Sequence, residues 1–186
     1  MIANKFLIVV DMQNDFIDGS LGTKEAQGIV PKVIERIRQA HEDGYMIGYT
    51  QDTHHEDYLD TPEGKKLPVP HCIKDTKGWE IPKEILDASG SRHPVLYEKE
   101  TFGSEEMVGD ISWLLSIHDV DDKDVTIEVL GLCTDICVVS NVLLLKANFP
   151  DATICVNVPC CAGVTPELHE AALKVMRSCQ IDLIGE

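Results

Sequence analysis

Short runs of Val, Ile and Leu alternate along the chain with stretches of helical period. Residues 5–11, 45–52, 94–98, 124–131, 152–157 and 180–184 are of strand length, bounded by Gly, Pro or charge, and predict buried strands. Between them, apolar positions recur at helical spacing. Residues 29–43 place Ile29, Val33, Ile34, Ile37 and Ala40 on one face, and Gly44 supplies a stop. Residues 104–118 open on Ser104 with Glu105 and Glu106 behind it, which suits a capped helix start. Residues 134–148 and 166–179 complete the set. The last opens Thr165-Pro166-Glu167, a cap followed by proline at the first helical position. A weaker helical segment covers 81–89. This alternation predicts a Rossmann-like three-layer α/β/α fold with a mostly parallel six-stranded sheet, helices on both faces and right-handed crossovers. No repeat or linker interrupts it, so residues 1–186 are expected to form a single domain. The longest irregular stretch, about 53–80, carries Pro62, Pro68, Pro70, His54, His55 and His71. A loop that long inside a compact domain is usually functional.

Open α/β sheets bind ligands at the carboxyl ends of their strands, and polar residues collect there. The first predicted strand ends at Asp11 and the second at Asp52, followed by Thr53-His54. The third ends at Lys99. The fourth ends at Gly131, and Cys137 follows in the first turn of a helix. Backbone N–H groups and the positive dipole end at that position are expected to favour a thiolate and lower its pKa. The same N–H groups can form an oxyanion hole. Lys99 would favour the thiolate further, and Asp11 could take the thiol proton and pass it to a leaving amine. Alone, Cys137 reads equally well as an inert core cysteine, with Asp135 as a helix-start acid. Its coincidence with Asp11 and Lys99 favours the nucleophile.

A second constellation is Asp52-Thr53-His54, then Glu63, then His71. Asp-x-His puts two side chains on one side of an extended segment. Two imidazoles with one or two carboxylates suit Zn, Fe(II) or Mn. On the residues alone, loop polars facing solvent explain this set about as well. His55 reads as a bystander, and His41, His93, His118 and His169 are expected to face water.

Composition narrows the setting. The 186 residues are 44% hydrophobic and 26% charged, with a formal net charge of −16, a balance that argues against a phosphate-backbone partner. No apolar run is long enough to span a bilayer, and the run after Lys5 is too short for a signal peptide's apolar region. The expectation is a cytoplasmic protein with a small-molecule substrate, no nucleic-acid partner and no membrane partner. Seven cysteines, an odd number with several in apolar runs, read as reduced and buried rather than as a disulfide framework. Cys160-Cys161 is expected to be a reduced pair in a turn.

At these residues the sequence resembles the isochorismatase-like cysteine hydrolases, and within them the nicotinamidases, also called pyrazinamidases. Asp11-Met12-Gln13-Asn14-Asp15-Phe16 is similar to the family's first-strand motif, and Thr134-Asp135-Ile136-Cys137-Val138 to its nucleophile motif. Lys99 stands where the family keeps a lysine. The resemblance implies a catalytic triad of Asp11, Lys99 and Cys137. It also implies a cis peptide joining Leu132 to Cys133, which would aim the N–H groups of Cys133 and Cys137 into an oxyanion hole. One divalent metal ion, Zn before Fe or Mn, would be held by Asp52, His54, Glu63 and His71, and would bind the pyridine nitrogen of nicotinamide. Phe16, Phe102 and Cys133 match substrate-contacting positions. Pro68 departs from the family, many of whose members carry a ring-stacking aromatic there. The implied activity is hydrolysis of nicotinamide or pyrazinamide through a thioester, in NAD salvage. The family tendency implies a homo-oligomer. The rival readings are an amidohydrolase of the same family acting on a carbamoyl, ureido or biuret-like substrate, and a thiol or metal sensor on the same fold.

Overall fold

A computed structural model describes residues 4–186. Six strands form one sheet in the order β3-β2-β1-β4-β5-β6. They are β1 (Lys5–Val10), β2 (Met46–Asp52), β3 (Val95–Lys99), β4 (Thr126–Leu132), β5 (Thr153–Ala162) and β6 (Asp182–Ile184). Every pairing is parallel, so the mostly parallel expectation tightens to a wholly parallel sheet. The central strand β1 is almost continuously apolar because helices cover it on both faces: Leu7, Val9 and Val10 have no exposed surface.

The helices are α1 (Asn14–Ile17), α2 (Lys24–Glu42), α3 (Lys83–Asp87), α4 (Glu105–Ile117), α5 (Val139–Asn148) and α6 (Pro166–Ser178). The chain winds from β1 outward to β3, then crosses back and winds from β4 outward to β6. Right-handed crossovers therefore place α1 to α3 on one face and α4 to α6 on the other. Helix contacts agree: α2 packs with α1 and α3, and α5 packs with α4 and α6. The winding reverses between β1 and β4, and a crevice opens there at the carboxyl ends of the strands.

Three segments differ from the sequence expectation. Helix α2 begins at Lys24 rather than near residue 29, because Thr23 caps it by accepting from the Ala26 N–H at 3.0 Å. Its first turn carries Lys24, Glu25, Gln27 and Gly28, which hide the helical period. Strand β5 runs to Ala162, and Cys160 and Cys161 lie inside it as free thiols, not in a turn. The β4–β5 register shifts between Val129 and Gly131, the irregularity that lets Pro159 sit within a strand. Residues 134–138 form a wide π turn ahead of α5 rather than regular α-helix. No helix among the described residues is long and apolar enough to cross a membrane.

Gly131 is required by packing. Its φ is +122°, and a Cβ there would lie 2.1 Å from the Val10 carbonyl oxygen. Its lack of a side chain lets the ends of β4 and β1 close together. At the opposite end of the sheet, Glu128 is buried and held by Arg36 through two bonds, Nε to Oε1 at 2.8 Å and a terminal nitrogen to Oε2 at 2.6 Å. Asn157 adds a third at 2.9 Å.

Removing only the cation of that pair strands a buried carboxylate. Arg36→Ala should destabilise the fold by about 3–5 kcal/mol in urea unfolding, whereas Arg36→Met with Glu128→Leu should cost far less. Equal losses for the two proteins would show that the pair is not buried as described.

Candidate active site

Register assembles the site. Parallel pairing sets Val10 beside Thr50, and Asp52 beside Lys99. Asp11, which follows β1 with φ +45°, turns its backbone N–H to the Thr50 carbonyl and hydroxyl, both at 3.2 Å. The Thr50 hydroxyl donates back to Asp11 Oδ1 at 2.6 Å. That leaves Oδ2, which meets Lys99 Nζ at 2.7 Å. Lys99 Nζ also stands 3.3 Å from Asp52 Oδ1 and donates to Cys137 Sγ at 3.6 Å. The structure thus brings Asp11 and Cys137 together on Lys99, in a setting with almost no exposed surface.

These charges govern one another. Burial alone would lower the Lys99 pKa, but the Asp11, Cys137 and Asp52 charges outweigh it and keep the ammonium protonated. Burial raises Asp11, and Lys99 opposes the rise. Cys137 departs from the sequence expectation. Burial first, then the Asp11 charge, push its thiol well above the ordinary range, with Lys99 offsetting only part. The turn dipole does not overcome desolvation, so burial here favours the thiol over the thiolate.

The peptide bond from Leu132 to Cys133 is cis, in agreement with the family resemblance. The Cys133 carbonyl accepts from the N–H groups of Ile136 and Val138 at 3.1 Å each. These two donors bracket Cys137, so the π turn ties down its neighbours and not Cys137 itself. Asn141 fixes the turn from within α5. It donates to the Cys137 carbonyl at 2.8 Å and to the Phe102 carbonyl at 3.1 Å, and accepts from the Ser104 N–H at 2.9 Å. His169 does not simply face water, contrary to the sequence expectation. Its Nδ1 lies 2.8 Å from the Thr134 hydroxyl, so α6 is pinned to the same turn.

Beside Lys99, ligand-type atoms of Asp52, His54 and His71 lie within 4.8 Å of one another, all in buried residues. His71 directs Nδ1 at the Val69 carbonyl at 2.9 Å. Its Nε2 is left facing Asp52 Oδ2 at 3.6 Å and Glu63 Oε1 at 3.8 Å. His54 Nε2 lies 3.0 Å from Asp52 Oδ2 and 3.7 Å from Glu63 Oε1, yet it is buried without a hydrogen-bond partner. Burial alone would raise the Asp52 carboxyl; the facing His54 and His71 rings and the Lys99 charge hold it well below the usual range. Two imidazole nitrogens converging on the Asp52 carboxylate form a donor set that fits a divalent cation. Glu63 is close but stands at the open edge of this group, with its side chain 27% exposed. His55 points away to Glu100 at 3.3 Å, as expected of a bystander.

Several residues to which the sequence reading assigns no role hold this arrangement. Gln13, fully buried, accepts from the Asp52 N–H at 2.7 Å and donates to the carbonyls of Asp52 and Trp79 at 2.8 Å each. Asp15 accepts from the Cys72 N–H at 2.8 Å, beside His71. Tyr58 packs against both histidine rings, 4.7 Å from His54 and 5.0 Å from His71. Only the spacing of Gln13 and Asp15 from Asp11 marks them in the sequence; nothing there marks Tyr58, Asn141 or His169.

One cavity of about 590 Å³ joins both constellations, lined by Cys133, Cys137, Asp52, Glu63 and His71, with Phe16 and Phe102. Phe16 is buried and Phe102 is 44% exposed. Pro68 does not line the cavity.

The isochorismatase domain model matches residues 5–185. The chain is 27% identical over 190 residues to the nicotinamidase/pyrazinamidase of Mycobacterium tuberculosis, covering 96% of this chain and 97% of that one. Among solved structures it is similar to the pyrazinamidase of Pyrococcus horikoshii in complex with zinc, with a TM-score of 0.79 and 28% identity over 98% of this chain and 99% of the other. It is also similar to the N-carbamoylsarcosine amidase of Thermoplasma acidophilum, with a TM-score of 0.74 and 25% identity over 97% and 95% of the two chains.

The protonation of Cys137 can be read directly. The rate of its alkylation by iodoacetamide, followed by peptide mass spectrometry, should still be rising as pH passes 9.0, the ordinary thiol value. A plateau reached near neutral pH would show a resting thiolate instead.

Proposed function

The chain belongs to the isochorismatase family, and from that membership we propose that it is a metal-assisted cysteine amidohydrolase converting nicotinamide or pyrazinamide into the corresponding acid and ammonia, in salvage of NAD. It is a hydrolase acting on amide bonds; the substrate, the metal and the roles of individual residues are the proposal. One observation carries it. Lys99 joins Asp11, Cys137 and Asp52 within 3.6 Å, and Asp52 in turn belongs to the buried histidine cluster. A nucleophile and a cation-binding donor set thus open into the same cavity. We read residues 1–186 as one hydrolase domain working in the cytoplasm.

In this reading Asp11 takes the Cys137 proton as the sulfur attacks the carboxamide carbon. Because the thiol is protonated at rest, transfer and attack occur together, and Lys99 offsets the negative charge gathered on Asp11 and sulfur. The backbone N–H groups of Cys133 and Cys137 receive the oxyanion. Asp11 returns the proton to the departing nitrogen, ammonia leaves, and a thioester remains on Cys137. Asp11 then takes a proton from water, whose oxygen attacks the thioester. The acid departs and Cys137 recovers its proton. A divalent ion held by Asp52, His54 and His71, with Glu63 at the open edge, would supply a positive charge that binds a ring nitrogen. Phe16 and Phe102 bound the ring.

A second reading, a carbamoyl amidohydrolase, is favoured by the likeness to N-carbamoylsarcosine amidase. Ammonia release measured with nicotinamide, pyrazinamide and carbamoyl compounds separates the two. Release from the aryl amides is expected; release only from carbamoyl compounds supports the second reading. Release from none would leave a sensor on this fold. Cys137→Ala should lower turnover by roughly 10⁴-fold or more with the fold retained. Residual activity near that of the parent protein would remove Cys137 from the chemistry.

Metal content gives a separate check. Protein purified without added metal should carry one divalent ion per chain by elemental analysis, and His54→Ala should lose it. Retention of the ion by that variant would place the metal elsewhere.

A further inference from the structure

The cavity above Cys137 is larger than a one-ring amide fills. Its volume of about 590 Å³ falls within the roughly 300–1,000 Å³ span of pockets that enclose drug-sized ligands. Its floor is polar and closed: Asp52 and His71 are each 3% exposed and Cys137 is 4% exposed. Its mouth is open and mainly apolar, with Lys66, Glu100 and Thr101 at its edge. Phe102 and Val164 are each 44% exposed and Leu67 is 36% exposed, and Leu21 and Ile136 continue the same lining. The loop that covers the floor contributes Pro62, Glu63, Lys66 and Leu67. None of these is an aromatic that would confine a ligand to the thickness of one ring. Aliphatic side chains exposed together at the mouth of a cleft are a surface that an apolar ligand group would cover favourably.

Resting on the amidohydrolase reading, we propose that the preferred substrate is an aryl carboxamide bearing a second apolar group. The position of that group follows from the directions already taken. Cys137 fixes the carboxamide at the floor, and the Asp52, His54 and His71 cluster fixes the ring nitrogen to one side. Groups at three alternate ring positions point in evenly spread directions, so a group on the carbon meta to both fixed positions is turned away from the floor, toward the part of the cavity lined by Leu21, Leu67, Phe102 and Val164. The reaction is unchanged: water cleaves the same amide C–N bond and ammonia leaves. These mouth residues set specificity and take no part in bond making.

The test compares nicotinamide with 5-phenylnicotinamide on the metal-loaded protein. The kcat/KM for the phenyl compound should exceed that for nicotinamide, by about tenfold. Val164→Trp and Leu67→Trp, both at exposed positions, should each lower the ratio of the two values by about tenfold. Calorimetric binding to Cys137→Ala protein should give the same order of affinities without turnover. A phenyl compound hydrolysed no better than nicotinamide, and bound no more tightly, overturns this inference and leaves the amidohydrolase reading standing. Ammonia from neither compound removes that reading, and this inference with it.

Discussion

The site depends on one buried cation. Lys99 has 2% of its side chain exposed and stands between Asp11 and Asp52, themselves almost fully buried. Two carboxylates at that depth repel each other and lose their hydration, and each would be driven toward its neutral form without a positive charge between them. Lys99 opposes that drive at both: Asp52 is held well below the usual carboxylate range, and the rise that burial imposes on Asp11 is reduced. Its own charge is retained for the same reason. Asp11 and Asp52, the central carboxylate of the histidine cluster, are thus two ends of one electrostatic unit.

Sheet register fixes where that cation stands. Asp52 and Lys99 are direct partners across β2 and β3. A slip of one residue would turn Lys99 to the opposite face of the sheet and leave Asp11 and Asp52 without it. Cys137 comes from the other side of the winding reversal, after β4, and Gly131 allows that strand end to approach Val10. Polar side chains then lock the loops: Gln13 at the end of β2, Asp15 on the turn after His71, and Asn141 on the π turn. The fold supplies the placement, and these few hydrogen bonds supply the orientation.

Much of this is legible in the sequence because it is local. Six apolar runs correspond to six strands, and Asp11, Asp52, Lys99 and Cys137 stand at or just beyond their carboxyl ends, where a parallel sheet collects its ligands. The Asp52-Thr53-His54 spacing alone sets two of the clustered side chains on one side of an extended segment. What stays hidden depends on residues far apart in the chain. Tyr58 reads as a loop residue until His54 and His71 close on it, and His169 reads as a surface residue until α6 meets the π turn. The protonation of Cys137 escapes the sequence for the same reason. A helix start in isolation lowers a thiol pKa, but this one is sealed beside a carboxylate, and sequence spacing does not report desolvation. Helix α2 and the end of β5 extend past their apparent limits because Gly28 and Pro159 break the pattern that burial sustains.

In the proposed reaction the Asp11–Lys99–Cys137 unit makes and breaks a thioester. Acid-quenched mass spectrometry during turnover of nicotinamide tests it most directly. The peptide carrying Cys137 should gain the mass of the acyl group in the steady state and lose it once substrate is exhausted. Turnover with no adduct on that peptide, or with the acyl group on another residue, would contradict the account.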